Sequence, residues 1–271
     1  MKTKKTSQIT MTVQDTDEVI LKIAGKGNIT IDWGNETENE IHKLSSKLSD
    51  YTHIFTGTSI RNITITGGNI TRLICEKQGV TNLDLTQATK LKVLYCGYNH
   101  ITELDLSNNI ALIHLFCSHN QLKSLDISRN TKILVCDCSN NHLINLDVSK
   151  NTRLDYFNCS TNQLSSLSIG NSLRVLFCEN NCLTSFDVNK DISLLWLILN
   201  ENKFSKDALN LLFRTLPIGK ENIICIEKNP GIDECDLSII ESKGWEVVDY
   251  DITLTNSKNK AIRIIYDDYL S

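Results

Sequence analysis

The stretch LFCSHNQLKSLDISRN, residues 115–130, is a near-copy of LYCGYNHITELDLSNN, residues 94–109. In both stretches a cysteine stands at the third place, and an asparagine follows three residues after it. Repetition at a fixed period is the sequence signature of a solenoid or a related repeat architecture. The repeat therefore decides the fold, and local motifs come second to it.

Cysteines mark the same position in successive units. The step from one to the next is constant except for the last, which is shorter by two, and one more full step reaches Leu199. These cysteines are Cys75, Cys96, Cys117, Cys138, Cys159 and Cys178. The amide residues three places after the seven positions are Gln78, Asn99, Asn120, Asn141, Asn162, Asn181 and Asn202. A second apolar set, usually LDL, begins at Leu83, Leu104, Leu125, Leu146, Leu167 and Phe186.

The aligned units give the pattern L-x-x-L-x-C-x-x-N-x-L-x-x-L-D-L-S-x-N-x-x. The alternation in L-x-C predicts a short strand whose leucine and cysteine both point into the core. The chain must then turn and return one strand further along, so we expect a right-handed stack of coils with a parallel sheet. The asparagine suits a column of side chains that bond the backbone of neighbouring coils, because its amide both donates and accepts.

This pattern resembles the leucine-rich repeat family, L-x-x-L-x-L-x-x-N-x-L, with cysteine in place of one leucine. More narrowly, it looks similar to the cysteine-ladder subclass typified by internalin J, and to related repeat proteins of gut Bacteroidetes. The resemblance covers residues 72–203, which hold about seven units of this length, one of them shorter by two. It implies a curved solenoid that carries its sheet on the concave side and binds a protein or a glycan there. It also implies a bacterial, adhesin-like protein that is secreted or lies at the cell surface.

The two ends of the chain predict caps for the repeats. Residues 1–71 contain short alternating β-branched runs, which favour a β-sandwich-like N-terminal cap. The segment IDWGN within it weakly resembles a PKD-like or immunoglobulin-like domain. Residues 204–271 predict a mixed α/β cap: a helix after Ser205, the strand NIICIE, a short helix in DLSIIESKG, the strand WEVVDY and a last strand AIRIIYDD. The predicted fold class is thus α+β and rich in β structure.

The repeated cysteines are interpreted as core residues. Free cysteine behaves as a small buried hydrophobe. A linear row in an apolar core lacks the clustered ligands of a zinc site. Parallel adjacent strands do not easily present the dihedral angle that a disulfide needs. We expect Cys182 to face solvent, whereas pairing of Cys225 with Cys235 stays open.

Composition and motifs argue against several classes of function. The net charge of −4 gives no electrostatic reason to bind nucleic acid, and no apolar stretch has the length of a membrane span. The N-terminus lacks the apolar segment of a signal peptide, so a full-length chain is expected in the cytoplasm. No nucleotide, hydrolase or metalloprotease motif is present, so we expect no enzyme, no cofactor and no metal. Aspartates in the LDL segments favour turn capping over calcium binding.

The candidate site is the outward face of the sheet. Strand residues that alternate with the inward leucines and cysteines form columns there, and exposed apolar surface of this kind often marks an interaction site. The predicted ligand-binding residues are Tyr95, Phe116, His114, Asp137, Tyr156, Asn158, Phe177 and Trp196. We expect a monomer that binds a protein partner. A glycan ligand, or a purely structural assembly role, remains as an alternative.

Overall fold

The computed structural model describes residues 7–35, 38–57, 59–188, 192–220 and 222–249. The N-terminal strands are β1 (Gln8–Val13), β2 (Glu18–Asp32), β3 (Glu40–Leu44), β4 (Ser49–Ile54), β5 (Arg61–Ile74) and β6 (Val80–Asp84). The repeat strands of the long parallel sheet are β7 (Val93–Tyr95), β8 (His114–Phe116), β9 (Val135–Asp137), β11 (Tyr156–Asn158), β13 (Val175–Phe177) and β14 (Trp196–Ile198). Two further strands, β10 (Asn145–Asp147) and β12 (Ser166–Ser168), pair with each other in parallel.

The N-terminal strands are antiparallel, as their alternating sequence predicts. β2 pairs with β3, β4 and β5, and β1 lies between β5 and β6. The ladder between β2 and β5 shifts register next to Gly25, where the two backbones approach closely. A Cβ atom at Gly25 would lie 2.2 Å from the carbonyl oxygen of Asn69, so only glycine fits.

Strand β5 joins the cap to the repeats. Its C-terminal half pairs antiparallel with β2 and in parallel with β7, so one sheet continues from the cap into the solenoid. The strand passes through residue 72, where the sequence pattern begins. The division of the chain into a cap and a repeat unit stays a prediction, and the two parts share this strand.

The repeat strands are stacked without a shift. Leu115 is aligned with Leu94 on one side and with Cys136 on the other, and the same register holds through the sheet. The strands are short because each coil turns away directly after the cysteine. Two inward columns are fully buried. One consists of Leu73, Leu94, Leu115, Cys136, Phe157, Leu176 and Leu197, and the other of the six repeat cysteines, which we call the ladder cysteines: Cys75, Cys96, Cys117, Cys138, Cys159 and Cys178.

The asparagine column connects the coils by hydrogen bonds. Asn120 shows the pattern: its Nδ2 donates to the carbonyl oxygens of Cys96 (2.9 Å) and Cys117 (3.1 Å), and its Oδ1 accepts from the N–H of Ile101 (3.0 Å). One side chain thereby satisfies backbone groups of two coils. The residue before each ladder asparagine has a left-handed backbone, as at His119 with φ 54°. This turn aims the amide into the core.

A second asparagine column was not interpreted from the sequence. Asn109, Asn130 and Asn151, the later asparagine of the repeat pattern, are completely buried. The Nδ2 of Asn130 donates to the carbonyl oxygens of Leu106 (3.0 Å) and Asn109 (2.9 Å). The coils that carry these three asparagines are therefore each linked to the preceding coil at a second corner.

The C-terminal part contains one more member of the first asparagine column. Helix α1 (Lys206–Thr215) is followed by strand β15 (Asn222–Cys225), the 3-10 turn Ile232–Glu234, helix α2 (Leu237–Glu241) and strand β16 (Trp245–Val247). The Nδ2 of Asn229 donates to the carbonyl oxygens of Leu199 (3.1 Å) and Ile226 (2.9 Å), as a ladder asparagine does. The sequence pattern ends at Asn202 because the inserted helix α1 makes this coil longer than the repeat period.

The predicted cap elements are present. Ser205 caps α1, accepting at Oγ from the N–H of Ala208 (3.3 Å), and the helix buries Leu209 and Leu212 as its spacing predicts. The strands in NIICIE and WEVVDY are β15 and β16. The predicted strand AIRIIYDD, residues 261–268, lies outside the described residues.

All ten cysteines are free thiols, and Cys182 is exposed. Burial raises the pKa of Cys75 to about 12 and raises the pKa values of Cys96, Cys117, Cys159 and Cys178 well above the ordinary thiol value. Thiol reagents need both access and thiolate. The ladder cysteines therefore lack both conditions in the folded chain.

We accordingly expect a maleimide to label native Cys182 within minutes and the six ladder cysteines only after unfolding. Raising the pH from 7 to 9 should not increase labelling of these six cysteines, because their raised pKa values keep the thiols neutral at pH 9. Peptide mass spectrometry after timed labelling measures each site. Labelling of Cys117 at the rate of Cys182 in folded protein would show that the ladder is not core.

Candidate functional site

Two columns of side chains form the outward face of the parallel sheet. Their alignment follows from the register of the strands, which pairs Tyr95 with Phe116 and Val93 with His114. The first column is Arg72, Val93, His114, Val135, Tyr156, Val175, Trp196 and Ile223. The second is Ile74, Tyr95, Phe116, Asp137, Asn158, Phe177, Ile198 and Cys225. The sequence therefore assigned all eight predicted site residues to the same face.

Most apolar members of these columns form one cluster, separate from the core. We call it the apolar strip: Phe116, Val135, Tyr156, Val175, Trp196 and Ile223, with Tyr95, Leu134, Phe177 and Val248 packed against it. Ring contacts help to hold it together, since the rings of Tyr95 and Phe116 have centroids 4.4 Å apart. Those of Tyr156 and Phe177 are 5.8 Å apart. Such cross-strand aromatic pairs stabilise a sheet face.

Exposure on this face differs from the sequence-based expectation. Phe116 and Tyr156 are 5% exposed, and Asp137 and Trp196 are 8% exposed. The expectation of exposed side chains is therefore wrong for these four residues. Tyr95, His114, Asn158 and Phe177 are half-buried. Alternation along a strand shows which face a side chain is on, but it does not show what packs over that face.

Asp137 and Asn158 interrupt the second column with polar side chains. The two make the same contacts, because Oδ1 of each accepts from the backbone N–H (3.0 Å) and the Oγ (2.7 Å) of the serine two residues later. The strip nevertheless continues beside them through Val135 and Tyr156 in the first column. The polar interruption is confined to one column.

The matching contacts of Asp137 and Asn158 give a prediction about pH. Burial raises the pKa of Asp137, the main opposing effect being its hydrogen bonds to Ser139. The folded chain therefore binds this proton more tightly than the unfolded chain, and stability falls as the pH rises from the unfolded carboxyl pKa of ~3.9 through the higher folded pKa. Asp137→Asn should raise the urea midpoint at pH 7 and leave it unchanged near pH 3.

The repeat supplies the matched control for this test. Asn158→Asp places a carboxylate in the equivalent position, so it should lower the urea midpoint at pH 7 but not near pH 3. Chemical unfolding followed by circular dichroism at both pH values measures the four combinations. Destabilisation of the protein by Asp137→Asn at pH 7 would contradict this prediction, because it would mean that the buried carboxylate is favourable in the folded chain.

Charged residues of opposite sign flank the strip. On one margin, Arg72, Lys92 and Arg174 lie at or directly before the strand residues of the first column. Arg174 forms an ion pair with Asp155. On the other margin, Glu76, Glu179 and Glu227 follow the second column at an equivalent distance along the strands. Asp155 stands at the position equivalent to Lys92 and Arg174, so the face is an apolar strip with basic residues at its N-terminal end, the Arg174–Asp155 ion pair further along the same margin, and acidic residues on the opposite margin.

The strip begins beside a cavity at the junction with the N-terminal cap. This cavity of 460 Å³ is lined by Lys26, Arg72, Lys92 and His114, among others. Burial and the charge of Arg72 lower the pKa of His114, so the imidazole is neutral at pH 7. Burial, with Glu76, raises the pKa of Tyr95 to about 12, which keeps its hydroxyl protonated. The positive charge of this end therefore comes from the lysines and the arginine.

One exposed aromatic beside the sheet was not predicted. Tyr98, 50% exposed, stacks on His119 with ring centroids 4.0 Å apart. The Nζ of Lys77 lies 4.9 Å from the centroid of the same ring. The tyrosine ring thus has a neighbour in the coil before and in the coil after, which reduces the area that a sugar could stack on.

The aspartates of the LDL segments cap turns, as their spacing predicts. Oδ1 of Asp105, Asp126 and Asp147 accepts from the N–H of the serine two residues later at 2.8–2.9 Å. Hydrogen bonds from these serines lower the pKa of each aspartate.

Among the described residues, no three His, Cys, Asp or Glu side chains are grouped in a way that could hold a metal ion. Within the same part of the chain, no helix is both long and apolar enough to cross a bilayer.

Comparison with solved structures finds similar solenoids. The functional domain of InlJ from Listeria monocytogenes, which includes a cysteine ladder, is 28% identical with a TM-score of 0.50. The match covers 66% of this chain and 44% of that one. A leucine-rich repeat protein of Leptospira interrogans is 23% identical with a TM-score of 0.45, over 48% of this chain and 36% of that one. No protein-family model and no curated protein matches the sequence.

The predicted resemblance and fold class are therefore confirmed. The chain is structurally similar to a cysteine-ladder leucine-rich repeat domain and carries the buried cysteine and asparagine columns of that architecture. It is mostly β, with a long parallel sheet of short strands, antiparallel N-terminal strands and few helices. This chain spans less than half of the InlJ structure that it matches.

Proposed function

We propose that the chain is a non-catalytic interaction module that binds a protein partner on the outward face of its sheet, the concave face in leucine-rich repeats. The observation that carries the proposal is the apolar strip. This cluster is separate from the core and lies on the opposite face of the sheet from the inward columns. Apolar clusters of this kind, enriched in Tyr, Trp and Phe, are what protein interfaces use as their centre.

The proposed partner presents an apolar stretch between charges of opposite sign. Tyr95, His114, Asn158 and Phe177 are the accessible members of the proposed site, and they provide both apolar area and hydrogen-bonding groups. Phe116, Asp137, Tyr156 and Trp196 lie beneath or beside them and fix the shape of the surface. The charged margins would orient such a partner and speed its association rather than supply most of its affinity.

A catalytic role has no support on this face. Catalysis by side chains needs a nucleophile or base with an orienting partner and a group that stabilises developing charge. The strongest titratable candidate, Asp137, contacts Ser139 and is 8% exposed, and both side chains are buried. The proposal is therefore a binding role without chemistry.

The proposal is tested by capture from host-cell and bacterial-surface extracts. The wild-type protein is compared with a Tyr95→Ser, Phe177→Ser variant and with a matched Ile110→Ser, Ile144→Ser variant. Ile110 and Ile144 are 54% and 51% exposed and lie outside the parallel sheet. We expect one or more proteins to be captured by wild type and by the matched control, but not by the Tyr95, Phe177 variant. Equal capture by all three would move the site away from this face.

A glycan array run with the same three proteins separates the alternatives. Binding of a sugar that is lost only in the Tyr95, Phe177 variant would replace the protein partner with a glycan on the same face. Oligomers at micromolar concentration, with neither capture nor glycan binding, would favour the structural assembly role.

A further inference from the structure

Three strands bring positive charge to the cavity at the junction of the N-terminal cap and the repeats. Lys26 lies in β2, Arg72 in β5 and Lys92 directly before β7, and all three line the cavity of 460 Å³. Among the described residues that line it, none is an aspartate or a glutamate. Burial and, after it, the charge of Arg72 lower the pKa of His114, another lining residue, so the guanidinium acts on the cavity itself.

Elsewhere in the repeat, the residue equivalent to Lys92 has an acidic partner. The N–H of Arg174 donates to the carbonyl oxygen of Asp155 in the preceding coil (2.9 Å), and the two side chains form an ion pair. The N–H of Lys92 makes the same backbone contact with Thr71 (2.8 Å), so a neutral side chain stands where the aspartate would be. Among the described residues, the three cations of the cavity have no ion-pair partner. Like charges held around one cavity repel each other, and an anion between them would remove that repulsion.

The size of the cavity indicates what kind of anion it would take. A volume of 460 Å³ is within the range of about 300–1,000 Å³ that small-molecule pockets have, so there is room for an organic group as well as a charged one. The apolar side chains of Val93 and Ile113 line the same cavity and offer a surface for that organic group.

The charge of the cavity favours a phosphate monoester over a single carboxylate. A phosphate monoester carries a charge of about −1.5 to −2 at pH 7 and three strong acceptor oxygens, so it offsets more of the charge of three cations. The guanidinium of Arg72 can donate two parallel hydrogen bonds to one phosphate group. Lys26 and Lys92 supply compact charges on flexible side chains, which adapt to the remaining oxygens.

We propose that this cavity binds a phosphate monoester group on a short organic stem. Arg72, Lys26 and Lys92 surround the phosphate, and the stem lies beside Val93 and Ile113. A free sugar phosphate and a phosphorylated side chain carry the same group, and the experiment below distinguishes these two sources. The site adjoins the proposed recognition face, but it takes a ligand of another class and does not depend on the protein partner.

The test is isothermal titration calorimetry at low ionic strength with three probes. These are glucose 6-phosphate, an acetylated tripeptide with a central phosphoserine, and N-acetylglutamate, which carries two carboxylates. Wild type is compared with an Arg72→Gln, Lys92→Gln variant and with a matched Lys132→Gln, Arg153→Gln variant. Lys132 and Arg153 are exposed and do not line the cavity, so both variants lose two positive charges but only one loses them at the site.

We expect at least one phosphorylated probe to bind wild type and the matched variant, and to bind the Arg72, Lys92 variant at least about tenfold more weakly. Tighter binding of glucose 6-phosphate would assign the site to a small molecule, and tighter binding of the phosphopeptide would assign it to a phosphorylated protein segment. Both results support the proposal.

Three results would overturn the proposal: no binding of either phosphorylated probe, equal weakening in both variants, or binding of N-acetylglutamate as tight as that of the better phosphorylated probe. Circular dichroism of each variant checks that the fold is intact. No protein partner takes part in the experiment, so its outcome is independent of the capture test.

Discussion

Replacing Asn120 by alanine is expected to lower the free energy of unfolding by about 2–5 kcal/mol, far more than an ordinary polar substitution. The side chain of Asn120 bonds the carbonyl oxygens of Cys96 and Cys117 and the N–H of Ile101. In the alanine variant the buried N–H of Ile101 loses the partner that Asn120 gives it, whereas the carbonyl oxygens of Cys96 and Cys117 each keep one donor, Nδ2 of Asn99 and Nδ2 of Asn141. The unpaired N–H costs about 1–3 kcal/mol and each of the two lost bonds to the carbonyl oxygens about 0.5–1.5 kcal/mol, and water has no room to replace the amide in a close-packed coil.

The neighbouring residue is the matched control for Asn120. Gln121 is exposed, and its structural contact is made by its backbone N–H, which donates to the carbonyl oxygen of Ile101 at 2.9 Å. Gln121→Ala keeps that bond and should change stability by less than about 0.5 kcal/mol. Urea unfolding followed by circular dichroism compares the two variants. Equal midpoints for Asn120→Ala and Gln121→Ala would mean that the asparagine column does not hold the coils together.

The second large effect is expected where the inward leucine column is broken. Cys136 and Phe157 occupy adjacent places in this column, directly opposite each other in β9 and β11, and both are fully buried. A small residue beside a large one conserves volume at a site where the other coils have two leucines. Cys136→Leu alone overfills the space and Phe157→Leu alone leaves a void, and each should cost about 1–3 kcal/mol.

The double variant restores two leucines and should be nearly as stable as wild type. The two single losses therefore should not add, and the coupling energy should be at least ~1 kcal/mol in favour of the pair. The same leucine substitution at Cys138, in the cysteine column, is the control, because the register places Phe157 directly opposite Cys136. Additive losses for Cys136→Leu with Phe157→Leu would show that the two side chains do not share one volume.

Much of the solenoid could be predicted because its determinants are local and repeated. The constant period of the repeat fixed the strands, the inward cysteines and the first asparagine column, since each coil repeats one set of contacts with the next. The member at Asn229 was missed because helix α1 changes the coil length. A search for I-x-I-x-x-N, as in residues 224–229, finds it without a fixed period.

The outward face was predictable in position and not in burial. The alternation of Tyr156, Phe157 and Asn158 determines which side each residue takes, so all eight candidate residues were correctly placed on one face. Whether Tyr156 or Trp196 is accessible depends on what lies over the sheet, and no period in the repeat carries that information. The burial of Asp137 could not be predicted either. Ser139 donates hydrogen bonds to the carboxylate and so makes burial possible, but the same serine would also suit an exposed aspartate.

The proposed recognition surface is the outward face of the sheet. Its most direct test is isothermal titration calorimetry of a captured protein with wild type, the Tyr95→Ser, Phe177→Ser variant and the Ile110→Ser, Ile144→Ser variant. We expect the first variant to lose about 2 kcal/mol of binding free energy or more, a roughly 30-fold weaker Kd, because aromatic side chains at the centre of an interface dominate its affinity. The second variant should bind as wild type does. An unchanged Kd for the Tyr95, Phe177 variant, or an equal loss in both, would contradict the claim.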